Sequence, residues 1–371
     1  MKTRLTKFSA PLIAIAMGGL PLASASAQQA APAAESATLT LKTRIPLARV
    51  DGRMDHAGGV DMAGQRVFWA AFDNKTLEVI DVQAGKQVHT ITNLNHPQQT
   101  YFDAPTNHLF VSSSGDGTVK VFDGSTFDLL QTTQLSTDAD NMRFDTRNKH
   151  LVVAYGGEKF LNGQVARQAG SKDGALAILD TAGKKLGQIP TDGHPESLAV
   201  EKNGTRVFTN VPDKKEIVVG DLGTYNVLAH WALPGCENYP MALDEGHQRV
   251  FVMCRASANM LALDAGNGKQ QVVSMPLTPS ASSDDMFYDA SKGRIYVLAR
   301  LLQKDNPRIP GPGIIEVFQQ KDPDHYEKIE TIQSGFAAQT GLFVPEWNKL
   351  FVATRHQPGG ASGEILVYET K

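Results

Sequence analysis

Seven short strand-like runs recur along this chain, and their recurrence restricts its fold more than any other feature. They are rich in β-branched, aromatic and aliphatic side chains and occupy residues 67–70, 109–112, 151–154, 207–210, 250–253, 295–298 and 350–353. An acidic residue stands six positions before each of the first six runs, with Gly, Asn or Lys in between, which is typical of a hairpin turn. The seventh copy has Val344 and Pro345 at this place instead.

A second strand-like run follows each of the seven. The period, the strand length and the β-branched content together predict a repeat of four short antiparallel strands, which is the blade of a β-propeller. The last copy ends one strand short, whereas residues 38–47 have the pattern of a strand ahead of the first copy. We therefore expect an all-β fold: a single seven-bladed propeller of four-stranded antiparallel blades over residues 38–371. The N-terminal strand would close the ring and remove two exposed sheet edges.

The first 27 residues have the order of a cleavable secretory signal. Three basic residues precede a short apolar stretch, and Ala27 ends a cleavage site of small residues. Residues 28–37 are predicted to be a disordered leader. We expect the mature protein to be periplasmic or secreted. We expect no membrane span, because no later segment approaches the roughly 20 apolar residues that a spanning helix needs.

The charge balance argues against one class of partner. The formal net charge of the sequence is -3, and removal of a signal with three basic and no acidic residues leaves -6. Proteins that bind nucleic acid through its phosphates need a basic surface, so we do not expect nucleic acid as a partner. We expect a monomer.

The chain contains two cysteines, Cys236 and Cys254. In an oxidising compartment an even count predicts a disulfide, and this spacing does not match a zinc site. A pair of free thiols is the alternative.

Five stretches give the chain a resemblance to a known family. They are Arg53-Met54-Asp55-His56, Asp138-Ala139-Asp140-Asn141, Gly193-His194-Pro195-Glu196-Ser197, Pro240-Met241-Ala242-Leu243-Asp244 and Asp322-Pro323-Asp324-His325-Tyr326. In these residues and in its repeats the chain resembles the YVTN-repeat β-propellers, and among them the YncE-like periplasmic proteins. The resemblance covers nearly the whole mature chain and implies a periplasmic seven-bladed propeller. It implies no particular reaction, since members of this group mostly have no assigned activity.

One face of the predicted disc gathers the polar positions. The innermost strand of a four-stranded meander starts on the face where the second strand ends, and we call this the upper face. The connection between the second and third strands is longer in three copies, at 158–174, 301–313 and 357–363, and these insertions fall on the upper face. Each blade also offers a polar residue at the start of its innermost strand: His56, Gln98, Asp140, Glu196, Tyr239, Asp284 and Gln339. We expect these side chains to line a polar funnel above a packed apolar wall. The alternative is a ring that only satisfies backbone groups and ordered water.

Four arginines, Arg53, Arg255, Arg300 and Arg355, are expected to make one quadrant of the funnel cationic. Guanidinium groups bind carboxylate or phosphate through paired hydrogen bonds. The predicted ligand-binding residues are Arg53, His56, Gln98, Asp140, Asn141, Glu196, Tyr239, Arg255, Asp284, Asp285, Arg300 and Arg355. The alternative is internal pairing of the arginines with Asp284 and Asp285.

Carboxylates and imidazoles from different blades suggest a metal as a further hypothesis. Asp140, Glu196 and Asp284, with His56, His96 and His194, are the groups that could converge on a divalent cation. The candidate ligands are His56, Asp140, Glu196 and Asp284. The fold itself requires no cofactor.

The sequence contains no Gly-x-Ser-x-Gly, no Gly-rich phosphate loop and no His-Glu-x-x-His. No catalytic residue is therefore assigned. We predict an exported propeller that binds a small anionic ligand or a periplasmic partner protein at its upper face. The alternative is a metal-assisted hydrolase of lactone-like esters with its site in the funnel.

Overall fold

A computed structural model describes residues 36–161, 164–167, 172–255, 257–303, 310–357 and 362–371. The predicted signal peptide, and the predicted leader up to residue 35, lie outside the described residues. Within these ranges the chain forms seven four-stranded antiparallel sheets and one two-stranded hairpin. They contain no helix with the length and apolar character that a membrane crossing requires.

Each sheet is one blade, and six of the seven blades use four strands in chain order. From the innermost strand outward, the blades are β2 (Ala57–Asp61), β3 (Arg66–Ala71), β4 (Thr76–Asp81) and β5 (Lys86–Ile91); β6 (Pro97–Asp103), β7 (His108–Ser113), β8 (Thr118–Asp123) and β9 (Leu129–Gln134); β10 (Met142–Asp145), β11 (His150–Tyr155), β14 (Ala175–Leu179) and β15 (Lys185–Pro190); β16 (Leu198–Val200), β17 (Arg206–Val211), β18 (Glu216–Asp221) and β19 (Val227–Ala232); β20 (Asn238–Asp244), β21 (Arg249–Cys254), β22 (Asn259–Asp264) and β23 (Gln270–Pro276); β24 (Ala281–Asp289), β25 (Arg294–Leu302), β26 (Pro310–Asp322) and β27 (His325–Phe336); and β28 (Thr340–Val344), β29 (Lys349–Thr354), β30 (Glu364–Thr370) and β1 (Leu39–Pro46). The hairpin of β12 (Glu158–Leu161) and β13 (Gln164–Arg167) is inserted between β11 and β14.

The ring closes in the predicted way. Strand β1 pairs antiparallel with β30, from Leu39 opposite Thr370 to Pro46 opposite Glu364. The innermost strand β2 of the first blade contacts β28 of the seventh, as each innermost strand contacts the next around the disc. The prediction of seven blades closed by an N-terminal strand is confirmed.

The second strand of each blade is buried on both faces and contains a run of apolar residues. In β3, the side chains of Val67, Phe68, Trp69 and Ala70 are all 0% exposed. A strand between two neighbouring blades has no solvent face, so a continuous apolar run replaces the usual alternation. Each fully buried Val or Phe side chain contributes about 1.5–3 kcal/mol relative to an exposed one.

The turn acids are structural and lie on the lower face, at the ends of the innermost strands. Asp61 accepts the backbone N–H of Gly64 at 2.8 Å and pairs with the Arg66 guanidinium at 2.7 Å. In the seventh blade, which lacks the acid, a short 3-10 helix spans Pro345–Trp347 and ends at Asn348, whose φ of 50° is left-handed. Asn tolerates this conformation better than most residues, which explains how the turn forms without its acid.

Cys236 and Cys254 form a disulfide, with their Cα atoms 4.9 Å apart. The bond joins the segment just before β20 to the end of β21. Both cysteines are buried.

Candidate functional site

The upper half of the central channel is a charged cavity of about 580 Å³, which we call the funnel. Its lining contains the polar residue that starts the innermost strand of every blade: His56, Gln98, Asp140, Glu196, Tyr239, Asp284 and Gln339. The structure also places all four predicted arginines there: Arg53, Arg255, Arg300 and Arg355. Asn141 and Asp285, the remaining predicted residues, are buried directly behind this lining. Their roles in ligand binding stay predictions.

Backbone hydrogen bonds between neighbouring blades fix the upper ends of the innermost strands. The N–H of His56 donates to the carbonyl of Gln98 at 2.9 Å, and the N–H of Asp285 donates to the carbonyl of Gln339 at 3.2 Å. The indole N–H of the buried Trp69 donates to the carbonyl of Asp55 at 2.7 Å. The side chains of the funnel therefore stand on a rigid frame that is tied to the core.

Two of the four arginines are paired inside the protein. Arg53 pairs with Asp55 and lies over the Phe72 ring, with 3.8 Å between the guanidinium carbon and the ring centroid. Arg255 pairs with Asp284 and lies over the Tyr239 ring at 3.3 Å. Internal pairing, which the sequence left open as an alternative, thus holds for these two.

The other two arginines, Arg300 and Arg355, are half-buried in the funnel wall. Neither guanidinium group makes a hydrogen bond or an ion pair with any residue that the structure describes, and the Nε of Arg300 is buried without an acceptor. Burial lowers the pKa of Arg355 to about 10, and repulsion from Arg53 and Arg300 adds to this effect. Burial also lowers the pKa of Arg300, although Asp284 partly compensates. These two guanidinium groups line the funnel and have no direct ion-pair partner among the described residues.

Two carboxylates on the same side of the funnel accept hydrogen bonds from neighbouring groups. Burial opposes the ionisation of Asp284, but Arg255 and then His56 outweigh it, so that the pKa of Asp284 is lowered. The amide of Gln339 donates to its second oxygen at 2.5 Å. Asp285 instead accepts the N–H of Gly341 at 2.8 Å and pairs with His56.

His56 lies between two carboxylates. Its Nδ1 is 2.9 Å from Asp285 Oδ1, and its Nε2 is 3.4 Å from Asp55 Oδ1. Burial works against a positive charge here, but Asp285 and Asp55 outweigh burial, and the pKa of His56 is well above its ordinary value. The ring is therefore an internal cation that joins the first and sixth blades.

The opposite wall of the funnel is acidic. Asp138, Asp140, Glu158 and Glu196 surround the imidazole of His194, and all five line the cavity. Burial raises the pKa of Glu196 to about 7, while His194 opposes this rise. Burial lowers the pKa of His194, but Asp138 and the other acids outweigh it and hold this pKa well above its ordinary value. The funnel thus has a cationic wall and an acidic wall.

The four candidate metal ligands from the sequence do not form one group. Among the described residues, the sets of three or more side chains with the spacing of metal ligands are Asp140, His194 and Glu196, and Asp138, Glu158 and His194. His56 and Asp284 lie with the arginines instead. His96, also considered, points away from the funnel and packs on the Phe72 ring at 4.9 Å.

Sequence reasoning missed several residues of the lining. Asp55, Asp138, Glu158 and Glu237 face the funnel but do not occupy the repeated polar position. Asp55 and Asp138 lie in stretches that carry the resemblance to the YncE-like proteins, which was the one available signal. Glu158 starts the insertion of the third blade.

Below the funnel the channel continues as a second cavity of about 380 Å³. Apolar side chains from the lower halves of the innermost strands line it, including Phe144, Leu243, Tyr288 and Phe343. The apolar positions expected below the polar ring thus line this cavity, together with polar residues such as Thr100 and Arg143. The rings of Tyr101 and Phe144, from neighbouring blades, stack with 4.9 Å between their centroids.

Fold and cavity together define a seven-bladed β-propeller with a charged central funnel. Compared with known proteins, the sequence matches no family model and no curated protein.

Proposed function

We propose that this protein is an exported, YncE-like ligand-binding propeller that holds a small carboxylate- or phosphate-bearing molecule in its funnel. The observation that carries the proposal is the pair of half-buried guanidinium groups, Arg300 and Arg355, which have no partner among the described residues. Buried charges are normally paired, because an unpaired buried charge costs several kcal/mol. A bound anion would supply the missing partner.

Electrostatics favour the anion further. Arg53 and Arg300 both repel Arg355, as its lowered pKa shows, and an anion between these groups turns repulsion into attraction. A hydrogen bond to a charged group contributes about 1.5–3 kcal/mol, which corresponds to roughly a 10- to 150-fold change in affinity. Two such groups together would contribute about 3–6 kcal/mol, a large part of the roughly 8 kcal/mol that micromolar binding needs.

The shape of the site favours a small ligand over a protein partner. The guanidinium groups lie inside a recess of about 580 Å³, which is within the usual size range of small-molecule sites. The acidic wall, with Asp140 and Glu196, would repel a ligand that is negatively charged at both ends. We therefore expect one anionic group and, at the other end, hydroxyl or cationic groups.

Titration of the mature protein with small anions tests this proposal. Acetate, gluconate and inorganic phosphate would be compared by calorimetry and by the shift in melting temperature. The variants Arg300→Gln and Arg355→Gln should each weaken binding by about 10-fold or more. Arg147→Gln removes the same charge from an exposed turn and should leave binding unchanged. Equal binding by the wild type and the double variant would refute the proposal.

A hydrolase that acts on lactone-like esters is the second candidate. One observation favours it: an acidic wall and a guanidinium wall face the same cavity, so a carboxylate and an oxyanion-binding group could act on one bound ester. A panel of γ- and δ-lactones, assayed by acid release, tests it. Turnover that disappears in Glu196→Gln but not in Arg147→Gln would support a hydrolase.

A further inference from the structure

The acidic wall of the funnel contains one histidine whose two ring nitrogens have different surroundings. His194 is 3% exposed, and its Nδ1 lies 2.6 Å from the carbonyl oxygen of Gly156. A carbonyl oxygen only accepts hydrogen bonds, so Nδ1 carries the proton. In the neutral ring, Nε2 then presents a lone pair to the cavity.

The Nε2 atom faces two carboxylates across a gap that is too wide for hydrogen bonds. It is 3.7 Å from Asp140 Oδ2 and 3.9 Å from Glu196 Oε1. Ligand atoms of these three residues lie within 4.8 Å of one another. A tetrahedral zinc ion with bonds of about 2.0–2.1 Å holds its ligand atoms about 3.4 Å apart. The two distances from Nε2 exceed this separation by only about 0.3 and 0.5 Å, and the two carboxylate oxygens would move towards one another from within 4.8 Å.

We propose that His194, Asp140 and Glu196 bind one divalent transition-metal ion, such as Zn²⁺, in the wall of the funnel opposite the arginines. The ion would take the Nε2 lone pair and one oxygen from each carboxylate. Its remaining position faces the cavity. An imidazole among the ligands favours zinc or a neighbouring transition metal over Ca²⁺ and Mg²⁺, which prefer oxygen ligands alone.

Groups around the three ligands are arranged as in metal centres. Metal-bound histidines usually donate their other N–H to a carbonyl or carboxylate, as His194 does to Gly156. The amide of Asn141 donates to Asp140 Oδ1 at 3.3 Å, leaving Oδ2 turned to His194. A Cβ on Gly157 would lie 2.5 Å from the backbone nitrogen of His194, so this glycine permits the position of the ring.

Asp138 supplies a second, independent indication of a cation. Its side chain is 3% exposed and lines the funnel, and its Oδ1 is buried with no hydrogen-bond donor among the described residues. Its Oδ2 lies 3.6 Å from Nδ1 of His194. A buried carboxylate without donors needs positive charge nearby. A divalent ion compensates twice the charge that one proton on His194 would.

The competing explanation is a protonated His194 held by the same acids without any metal. Zinc titration of the full mature chain, after treatment with a chelator and its removal, separates the two. Calorimetry and elemental analysis should give one Zn²⁺ per chain. The variants His194→Asn and Glu196→Gln should each weaken binding by about 100-fold or more, because each removes a direct ligand of the ion. Asp138→Asn should weaken it by about 10-fold.

Two controls keep the experiment decisive. His230→Gln removes an exposed histidine that pairs with Glu216 at 3.0 Å on an outer strand, and it should leave zinc binding unchanged. Circular dichroism checks folding, and Glu196→Gln is the milder change if His194→Asn fails to fold. A wild type that takes up no zinc, or zinc binding that survives both ligand variants or disappears in His230→Gln, would overturn the proposal. Arg355→Gln should retain zinc even though it loses the anion, so this site and the anion site can fail independently.

Discussion

Loss of the disulfide between Cys236 and Cys254 has an effect on stability that can be calculated from the structure. The bond closes a loop with a sequence separation of 18. In the chain-entropy model a loop of this length restricts the unfolded chain by about 3 kcal/mol at 25 °C. The variant with both cysteines changed to Ala should lose about this much free energy of unfolding, plus the packing of two buried sulfur atoms.

Urea unfolding, followed by tryptophan fluorescence and circular dichroism, measures the loss. With a slope of about 3 kcal/mol per molar urea, the midpoint should fall by about 1 M. Wild-type protein unfolded in the presence of a reductant keeps both sulfur atoms. Its loss of stability therefore measures the contribution of loop closure alone to the free energy of unfolding. A reductant should not affect the double variant.

The same substitution also tests the link to the funnel. Asn238 pairs with Cys254 across β20 and β21, and the residues that follow them, Tyr239 and Arg255, stack on one another. The double variant should therefore bind small anions more weakly. If the wild-type midpoint is the same with and without reductant, the reasoning from loop length is refuted.

Three further predictions follow from the charges and the ring. Asp284→Asn removes the carboxylate that pairs with Arg255 and that repels a bound anion. Two like charges about 6 Å apart repel by about 3 kcal/mol at an effective dielectric constant near 20. Calorimetry should therefore show tighter anion binding, and weaker binding would contradict the cationic site. His56 has a raised pKa, so its contribution to stability is complete below pH ~6.5 and is lost as the pH rises through the folded-state value. Urea titrations between pH 7 and 9 should therefore show a slope that is smaller in His56→Gln by up to about 1.4 kcal/mol per pH unit, whereas equal slopes would show a neutral ring. Ile45→Ala, at a fully buried position of β1, should lower the free energy of unfolding in urea by about 2–5 kcal/mol. Leu41→Ala, at an exposed position of the same strand, should lower it little, and equal losses would contradict the ring closure.

The repeated elements could be predicted from the sequence because their signals are local. The register of six innermost strands follows from a turn acid a few residues away, and the repeat extends it to the seventh, which placed a polar side chain near the start of every innermost strand. The closing strand β1 was predictable because a seventh blade with three strands leaves an edge that the chain must cover.

Pairing across blades could not be predicted, because it depends on distances that no local pattern contains. No local pattern explains why Arg255 pairs with Asp284 whereas the guanidinium group of Arg355 has no ion-pair partner among the described residues. His96-Pro97 and His194-Pro195 occupy equivalent positions, yet their rings point in different directions. The cause is one residue in the preceding blade: Phe72 stacks on His96, whereas Gly156, at the same repeat position, leaves room for His194 and accepts a hydrogen bond from it through its carbonyl oxygen.

The pairing of β1 with β30 also determines the order in which this molecule can be completed. The first strand to be synthesised has no hydrogen-bonding partner until residues 364–370 exist, because Leu39 pairs with Thr370. Every shorter chain therefore has an open edge on its last blade and an orphan strand at its start. Closure joins segments more than 300 residues apart, a long-range step of the kind that slows folding. A stop codon only a few residues early would thus affect both ends of the protein at once.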